Sequence, residues 1–311
     1  MLNKEFMYSL EPIIKHNINI VQAGGGNFSV KEGDKIFVKK SGVRLDSIFK
    51  SGSMLQLDNL VSDVASVKKH LLNIRTSGET QPSIETGFHM YIPAKYVFHY
   101  HPVSLLNLLI LKSFKTAILK LLRPSETALF LNYIKPGDDL LDSISAKGDI
   151  SDVDFLFLQN HGVILWSNNF EELIAKISRI ESLGTGLQII NEKYGQFLKH
   201  IGYNPDIQCK SKIDISNEIM SSILLSEYTN LWAIYPDNLV YLKNNYGVFK
   251  NTFQKQSIWS VNYDLLEMIF CFTNVLSRVD DLQDVNLLTK QEALEITSWN
   301  LEKNRSRMLD E

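Results

Sequence analysis

Cysteine is scarce: the 311 residues contain two, Cys209 and Cys271, far apart in the chain. That excludes a disulfide framework and a cysteine-rich zinc module. Charge of one sign is also missing, since the formal net charge is -3. Neither nucleic acid nor an acidic membrane surface is therefore an expected partner. Long apolar runs are absent too. The most apolar stretch, Val103 to Phe114, falls well short of the roughly 20 residues that cross a bilayer. The first residues are interrupted by Glu5, Glu11, Pro12 and Lys15, so they lack the unbroken apolar core of a secretory signal, and a cytoplasmic location is the expectation. There is no dinucleotide GxGxxG fingerprint, no internal repeat and no low-complexity tract.

What is present is ordinary globular material. Hydrophobic residues make up 44% and charged residues 22%, enough for one large domain or two of common size. With cysteine so sparse, any metal site must be built from histidine and carboxylate.

Periodicity predicts a helix from Asn3 to His16. Short β-prone runs between glycine-rich turns follow, from Ile18 to Val43, and read as a hairpin. A strand and a helix are expected over 53–76, with Ser62 or Asp63 as the cap. Pro82 suits the first turn of a helix running through PSIETGFHMYI. KYVFHYH, rich in β-branched and aromatic residues, reads as a short buried strand. Pro102 then starts a helix expected from Val103 to Leu122. In DFLFLQNHGVILWS two apolar runs meet at Asn160, His161 and Gly162, which resembles a strand turning back on itself. A long helical pattern follows, with Gly184 and Gly186 as its break.

The polar segment 202–217, carrying Pro205, is the candidate linker between a first unit, 1–201, and a mainly helical region, 217–311. In the second region NEIMSSILLSEY and NYDLLEMIFCFTNVLSRVDDL read as helices and LWAIYPDNLVYLK as a strand pair around a turn. Thr289 with Glu292 three positions on is the signature of a capping box opening a last amphipathic helix.

The chemistry is concentrated in VFHYHPV. His99 and His101 alternate along a strand, so their imidazoles share a face and can reach one ion. The next same-face positions are Val97 and Val103, so a third ligand must come from elsewhere, and His161 is the natural supplier. Three protein ligands leave an open position, as catalytic zinc requires. An HxH pair is equally compatible with two hydrogen-bonded histidines, but burying two unpaired imidazoles is costly.

Glu85 is the acid to bring to this site, as a fourth ligand, a general base, or both in different states. Its competing explanation is a carboxylate favoured by a helix dipole. His89, one helical turn on, suits a core or supporting role. The glycines of GGGN, Gly24 to Asn27, let backbone amides approach an anion, or simply make a tight turn. VKKSG, with Lys39 and Lys40, suits a phosphate or carboxylate, or a solvated sheet edge.

Taken in order, GGGNFSVK, VKKSGVRL, RTSGETQPSIE, GFHMYIP, VFHYHPV and LQNHGVILW resemble the class II aldolase/adducin family over about residues 1–200. The resemblance implies a three-layer α/β/α fold around a mostly antiparallel sheet, with the smaller α-rich C-terminal region added to it. It implies zinc, or another divalent metal, on His99, His101 and His161, with Glu85 as the acid/base group. It further implies an anion pocket of Asn27, Ser41, Gly42 and Ser83, and a homo-oligomer, commonly a tetramer with sites at subunit interfaces. Ile84 stands where sugar-phosphate aldolases often have a second serine. Their tyrosine proton donor has no clear counterpart; Tyr133 is the candidate.

The expected activity is a reversible aldol cleavage of a ketose phosphate or related sugar through a metal-stabilised enediolate. Sugar-acid phosphate decarboxylation and pentulose phosphate epimerisation are alternatives on the same fold. A noncatalytic adducin-like interaction module and a non-haem iron oxygenase are rivals from other classes. The first would not need an open metal position. The second usually needs an acid just after the HxH pair, and PVSLLNLLILKSF offers none.

Overall fold

The structure, a computed structural model, describes residues 4–15, 17–59, 63–77, 82–184, 213–216, 234–241, 258–261 and 263–298. Helix α1 (Lys4–Ile14) leads to the hairpin β1 (Asn27–Glu32) and β2 (Lys35–Lys39), and β3 (Met54–Asp58) extends it. The hairpin turn is at Gly33, not in GGGN, which instead precedes β1. Helix α2 (Val64–Ser77) starts after Asp63, whose Oδ1 accepts from Ser66 N at 2.9 Å. That satisfies one orphan amide of the first turn and confirms Asp63 as the cap; Ser62 lies outside the described residues.

Helix α3 (Thr86–Tyr91) begins four residues later than the position of Pro82 suggested. Pro82 is instead bridged to Lys40, an extended pairing that holds the PSI segment at the end of β2. Strand β4 (Tyr96–Tyr100) is buried throughout, as its composition predicted.

The expected helix from 103 to 122 is two helices, α4 (Val103–Leu109) and α5 (Phe114–Leu119). The chain between them is drawn into extended pairing with a C-terminal segment. Leu111 bridges Val285, Lys112 N donates to the Asp284 carbonyl at 2.7 Å, and Asn286 N donates to the Ile110 carbonyl at 2.6 Å. Strand β5 (Ala128–Leu131), which sequence reading did not find, is followed by α6 (Asp138–Ser145) and β6 (Phe155–Leu158). β6 turns back into β7 (Gly162–Ser167), and α7 (Phe170–Leu183) follows, its first turn capped by Asn169 onto Glu172 N at 3.1 Å.

Among the described residues these strands form a seven-stranded sheet in the order β3-β2-β1-β4-β7-β6-β5, antiparallel except for β5 and β6. Alternation in β4 divides the core. Phe98 and Tyr100 face the side of α1, α4 and α7, whereas Val97 packs on the other side with residues of α2, α3 and α6. The result is the expected α/β/α sandwich, with a mostly antiparallel sheet at its centre.

Beyond α7, β8 (Ile213–Ser216) pairs with β9 (Ile258–Val261), so part of the segment assigned as linker is a strand. Residues 234–241 contain helix α8 (Pro236–Tyr241), where a strand pair was expected. Proline there serves a helix start, its missing N–H being one of the amides a first turn leaves unpaired. Helix α9 (Tyr263–Leu276) and helix α10 (Lys290–Ser298) match their predicted segments. The Thr289/Glu292 capping box is reciprocal: Glu292 Oε2 accepts from Thr289 N at 2.6 Å, and Thr289 Oγ1 accepts from Glu292 N at 3.2 Å. The helix read at 217–228 and the second cysteine, Cys209, lie outside the described residues.

The C-terminal helices share one apolar core with the first unit. Leu239, Leu266, Ile269 and Ile296 cluster with Leu10, Phe98, Leu106 and Leu165. No helix among the described residues is long and apolar enough to cross a membrane.

Candidate metal centre

Strand β4 pairs Asn27 with His99 on one side and Ile164 with His99 on the other. This register puts Asn27 and His99 on one face of the sheet, above which α3 begins. Glu85 occupies the residue before α3, in a bridge conformation of φ -92° and ψ 0°. Its carboxylate therefore points from the helix entrance toward the histidines.

His161 arrives from the turn between β6 and β7. Asn160 holds a left-handed φ of 56° there, a conformation asparagine tolerates better than most residues. Gly162 has to be glycine, because a Cβ would stand 2.4 Å from the Tyr100 carbonyl oxygen and 2.9 Å from His101 Cδ2. That close approach is what lets the turn lay His161 beside the β4 pair.

His99, His101 and His161 are all buried, and one ring nitrogen from each lies within 4.8 Å of the others. His101 Nε2 is 3.2 Å from His99 Nε2. Glu85 Oε1 is 3.2 Å from His161 Nε2 and 3.5 Å from His99 Nε2. Asn27 Nδ2 donates to Glu85 Oε2 at 2.7 Å, which fixes the carboxylate with its other oxygen toward the imidazoles.

The outer nitrogens set the tautomers. His99 Nδ1 faces the Val163 carbonyl at 2.9 Å and so carries the proton. His101 Nδ1 lies 2.9 Å from Asp237 Oδ2, a carboxylate supplied by α8. Both outer contacts favour a proton on Nδ1, the tautomer that leaves Nε2 as a lone pair facing the site. Burial pulls the His99 pKa down to about 3, against the pull of Glu85, so this ring is neutral near pH 7. Burial alone would raise the Glu85 carboxyl; the imidazoles, His99 first, outweigh it and hold Glu85 well below the usual carboxylate range.

The two Nε2 atoms 3.2 Å apart, beside a buried Glu85 oxygen that has no hydrogen-bond partner, are spaced to share a proton or a cation. Three imidazoles and one carboxylate are a donor set that suits Zn, Fe, Co or Ni more than Mg or Ca. The residues present fit a divalent ion.

Other sequence candidates are placed differently. The cavity beside the histidines is lined by Gly25, Gly26 and Asn27, by Ile84 and Glu85, and on its far side by Pro236, Asp237, Val240 and Ile296. Ser41, Gly42 and Ser83 are not among its lining residues. Ser83 is buried, and its Oγ accepts from Glu85 N at 3.3 Å, so it shapes the approach to α3. Ser41 and Gly42 are half-buried in the loop that the Lys40–Pro82 bridge holds next to it.

Lys39 is neither a solvated edge nor free to meet an anion. It is fully buried, and its ammonium donates to the carbonyls of Val43 at 2.6 Å and Gly24 at 3.3 Å. The inward-facing register of β2 carries it under the glycine turn, which it ties to the KKSG loop. His89 is a core histidine, stacked on Phe88 with its Nδ1 2.8 Å from Ser29 Oγ. Tyr133 packs against the apolar core and is not among the residues that line this cavity.

Sequence reading missed Asp237 and the helix that brings it. The signal was local: Pro236-Asp237-Asn238 ahead of the apolar pair Leu239 and Val240 is a helix start, with an acid in the first turn.

The chain is thus a layered α/β domain with a buried centre of three imidazoles and one carboxylate, spaced to hold a metal ion. Residues 15–184 match the model of the class II aldolase and adducin N-terminal domain, more than half of the chain, and the chain belongs to that family. No curated protein sequence matches it.

Among solved structures, the N-terminal class II aldolase domain of a Thermoplasma acidophilum protein is 24% identical, covering 58% of this chain and 90% of that one at a TM-score of 0.46. L-fuculose-1-phosphate aldolase from Thermus thermophilus is 15% identical over 64% of this chain and 99% of its own, with a TM-score of 0.40. A sugar-phosphate aldolase from Thermotoga maritima is 16% identical over 65% and 99%, at 0.42.

Proposed function

We propose that this chain is a metal-dependent lyase that catalyses reversible aldol cleavage of a ketose phosphate or related sugar. His99, His101 and His161 would hold the ion, with zinc the first candidate, and Glu85 would move the proton. The observation that carries this reading is the convergence of three buried imidazoles, one ring nitrogen of each within 4.8 Å of the others, on the Glu85 carboxylate.

A divalent ion held there would act as a Lewis acid toward the carbonyl and adjacent hydroxyl oxygens of a substrate. Glu85 does the proton work. In the condensation direction its Oε1 takes a proton from the carbon beside the substrate carbonyl; in cleavage it returns that proton. Asn27 keeps Oε2 occupied, so one carboxylate oxygen serves as the base. Gly25, Gly26 and Asn27 line the near wall, and the apolar Val240 and Ile296 line the far one.

Ser41, Gly42 and Ser83, aligned by the Lys40–Pro82 bridge, are the proposed partners for a substrate phosphate, with Asn27 at the inner end of that path. Decarboxylation of a sugar acid, in which loss of CO2 leaves an enolate, and epimerisation of a pentulose phosphate would draw on the same stabilisation of an enolate.

The test is purified, metal-replete protein with dihydroxyacetone phosphate and a panel of aldehydes, with sugar-acid phosphates and pentulose phosphates as parallel arms. A ketose phosphate formed in the first arm is the expected result. Full metal occupancy with product only in another arm would replace the aldolase reading with that reaction.

A further inference from the structure

Asp237 lies beyond the residues that the family model covers, which end at 184. Yet its Oδ2 stands 2.9 Å from His101 Nδ1, and both side chains are buried. The contact is built rather than incidental. Gly25 makes room for it: a Cβ at that position would lie 2.7 Å from Asp237 Oδ2 and 3.1 Å from His101 Nδ1.

The segment bearing Asp237 is fastened on both sides. Before it, the Ile234 carbonyl accepts from Asn160 Nδ2 at 2.6 Å, next to His161 in sequence. After it, Leu239 and Val240 are buried in the common core.

We propose that Asp237 is a positioning residue of the metal centre, so that the C-terminal segment completes a site whose other groups come from the first unit. The inference rests on the metal-site reading above. Its physical content is specific. The carboxylate stands as a negative charge beside His101 Nδ1, favours the tautomer with its proton there and its Nε2 lone pair inward, and helps hold the ring toward His99 and His161. It also places a fixed negative charge against the glycine turn. A substrate anion is thereby kept from Gly25 and directed to the opposite side of the cavity.

The experiment uses the full chain with Asp237→Asn and Asp237→Ala. Affinity for Zn2+ and Co2+ is measured by competition with a chromogenic chelator, the Co2+ absorption spectrum is recorded at saturation, and thermal unfolding is followed without metal. Asparagine keeps the size and one acceptor, so it folds and decides the matter if the alanine variant does not.

The expected pattern is graded: alanine weakens metal binding about 10- to 100-fold and asparagine by less. The Co2+ bands shift in both, while the metal-free unfolding midpoint of the asparagine variant stays near wild type. Unchanged affinity and spectrum in both variants, with a wild type that binds tightly, would overturn the role of Asp237. A wild type that binds no metal would instead sink the metal reading beneath it.

Discussion

Asn160 and Asn286 hold each other reciprocally: Asn286 Nδ2 donates to Asn160 Oδ1 at 2.7 Å, and Asn160 Nδ2 donates back to the Asn286 carbonyl at 2.6 Å. The same amide nitrogen reaches the Ile234 carbonyl, so the turn that presents His161 is anchored to two separate stretches of the C-terminal region. Replacing Asn160 tests this directly. Asn160→Gly keeps the left-handed backbone but strands buried polar groups, a cost of about 1–3 kcal/mol. Asn160→Ala adds roughly 1–2 kcal/mol for a Cβ at positive φ. Urea unfolding of metal-free protein should therefore rank wild type above glycine above alanine; equal variants would mean that backbone strain plays no part.

Gly162→Ala should be still more damaging. Its Cβ would meet a backbone carbonyl at 2.4 Å, which no rotamer change relieves. A loss of at least about 3 kcal/mol, or failure to fold, is expected. A variant with wild-type unfolding would show that the β6–β7 turn shifts without cost.

The Arg44 guanidinium joins Asp46 to two residues of α9, Asp264 at 3.0 Å and Glu267 at 2.7 Å. Glu267 is buried and also accepts from Ala23 N at 2.8 Å, next to the glycine turn. Arg44→Met leaves that carboxylate buried without its counter-charge, and a loss of roughly 3–5 kcal/mol follows. The double variant Arg44→Met with Glu267→Gln should recover part of it. No recovery in a double-mutant cycle would mean the pair is not coupled.

Much of this architecture was legible in the chain itself. The two-residue period of VFHYH predicts a strand with both histidines on one face, because strand side chains alternate regardless of context. Asp63 and the Thr289/Glu292 box declared their helix starts through local capping chemistry, which does not depend on the rest of the fold. Long-range contacts were not legible. The break at 110–113 exists because residues 284–286 pair with it, and β5 was hidden in a stretch whose strand character depends on its parallel neighbour β6. Lys39 looked like an edge charge because burying an ammonium against carbonyls requires two loops to fold over it. Asp237 meets His101 through a helix, α8, that is packed against α9 and α10 far along the chain.

Glu181 gives the fold a pH dependence. Burial pushes its carboxyl up to about 7, against the hydrogen bonds from Tyr100 at 2.9 Å and from Asn19. In the unfolded chain the group returns to the usual 4.5. The folded state thus favours the protonated form. Its contribution is full below about pH 4.5 and is lost as pH rises through about 7, by up to about 3 kcal/mol. Glu181→Gln, which can donate to Tyr100 and accept from Asn19, removes this dependence. Urea midpoints at pH 5 and pH 8 should differ more for wild type than for the variant; parallel shifts would contradict the assignment.

Glu85→Gln separates holding an ion from moving a proton. The amide retains the bond to Asn27 through its oxygen and leaves the three imidazoles in place. Metal content should stay near one ion per chain while turnover of the identified substrate falls about 100- to 10,000-fold. Turnover within a factor of a few of wild type would exclude Glu85 as the base.

The most direct test of the central claim is an anomalous difference map, collected at the absorption edge of the metal found in the purified protein. The account predicts one peak within about 2.1 Å of Nε2 of His99, His101 and His161, lost when His161 is replaced by alanine. A peak elsewhere, or metal retained by a protein whose three imidazoles do not touch it, would contradict it.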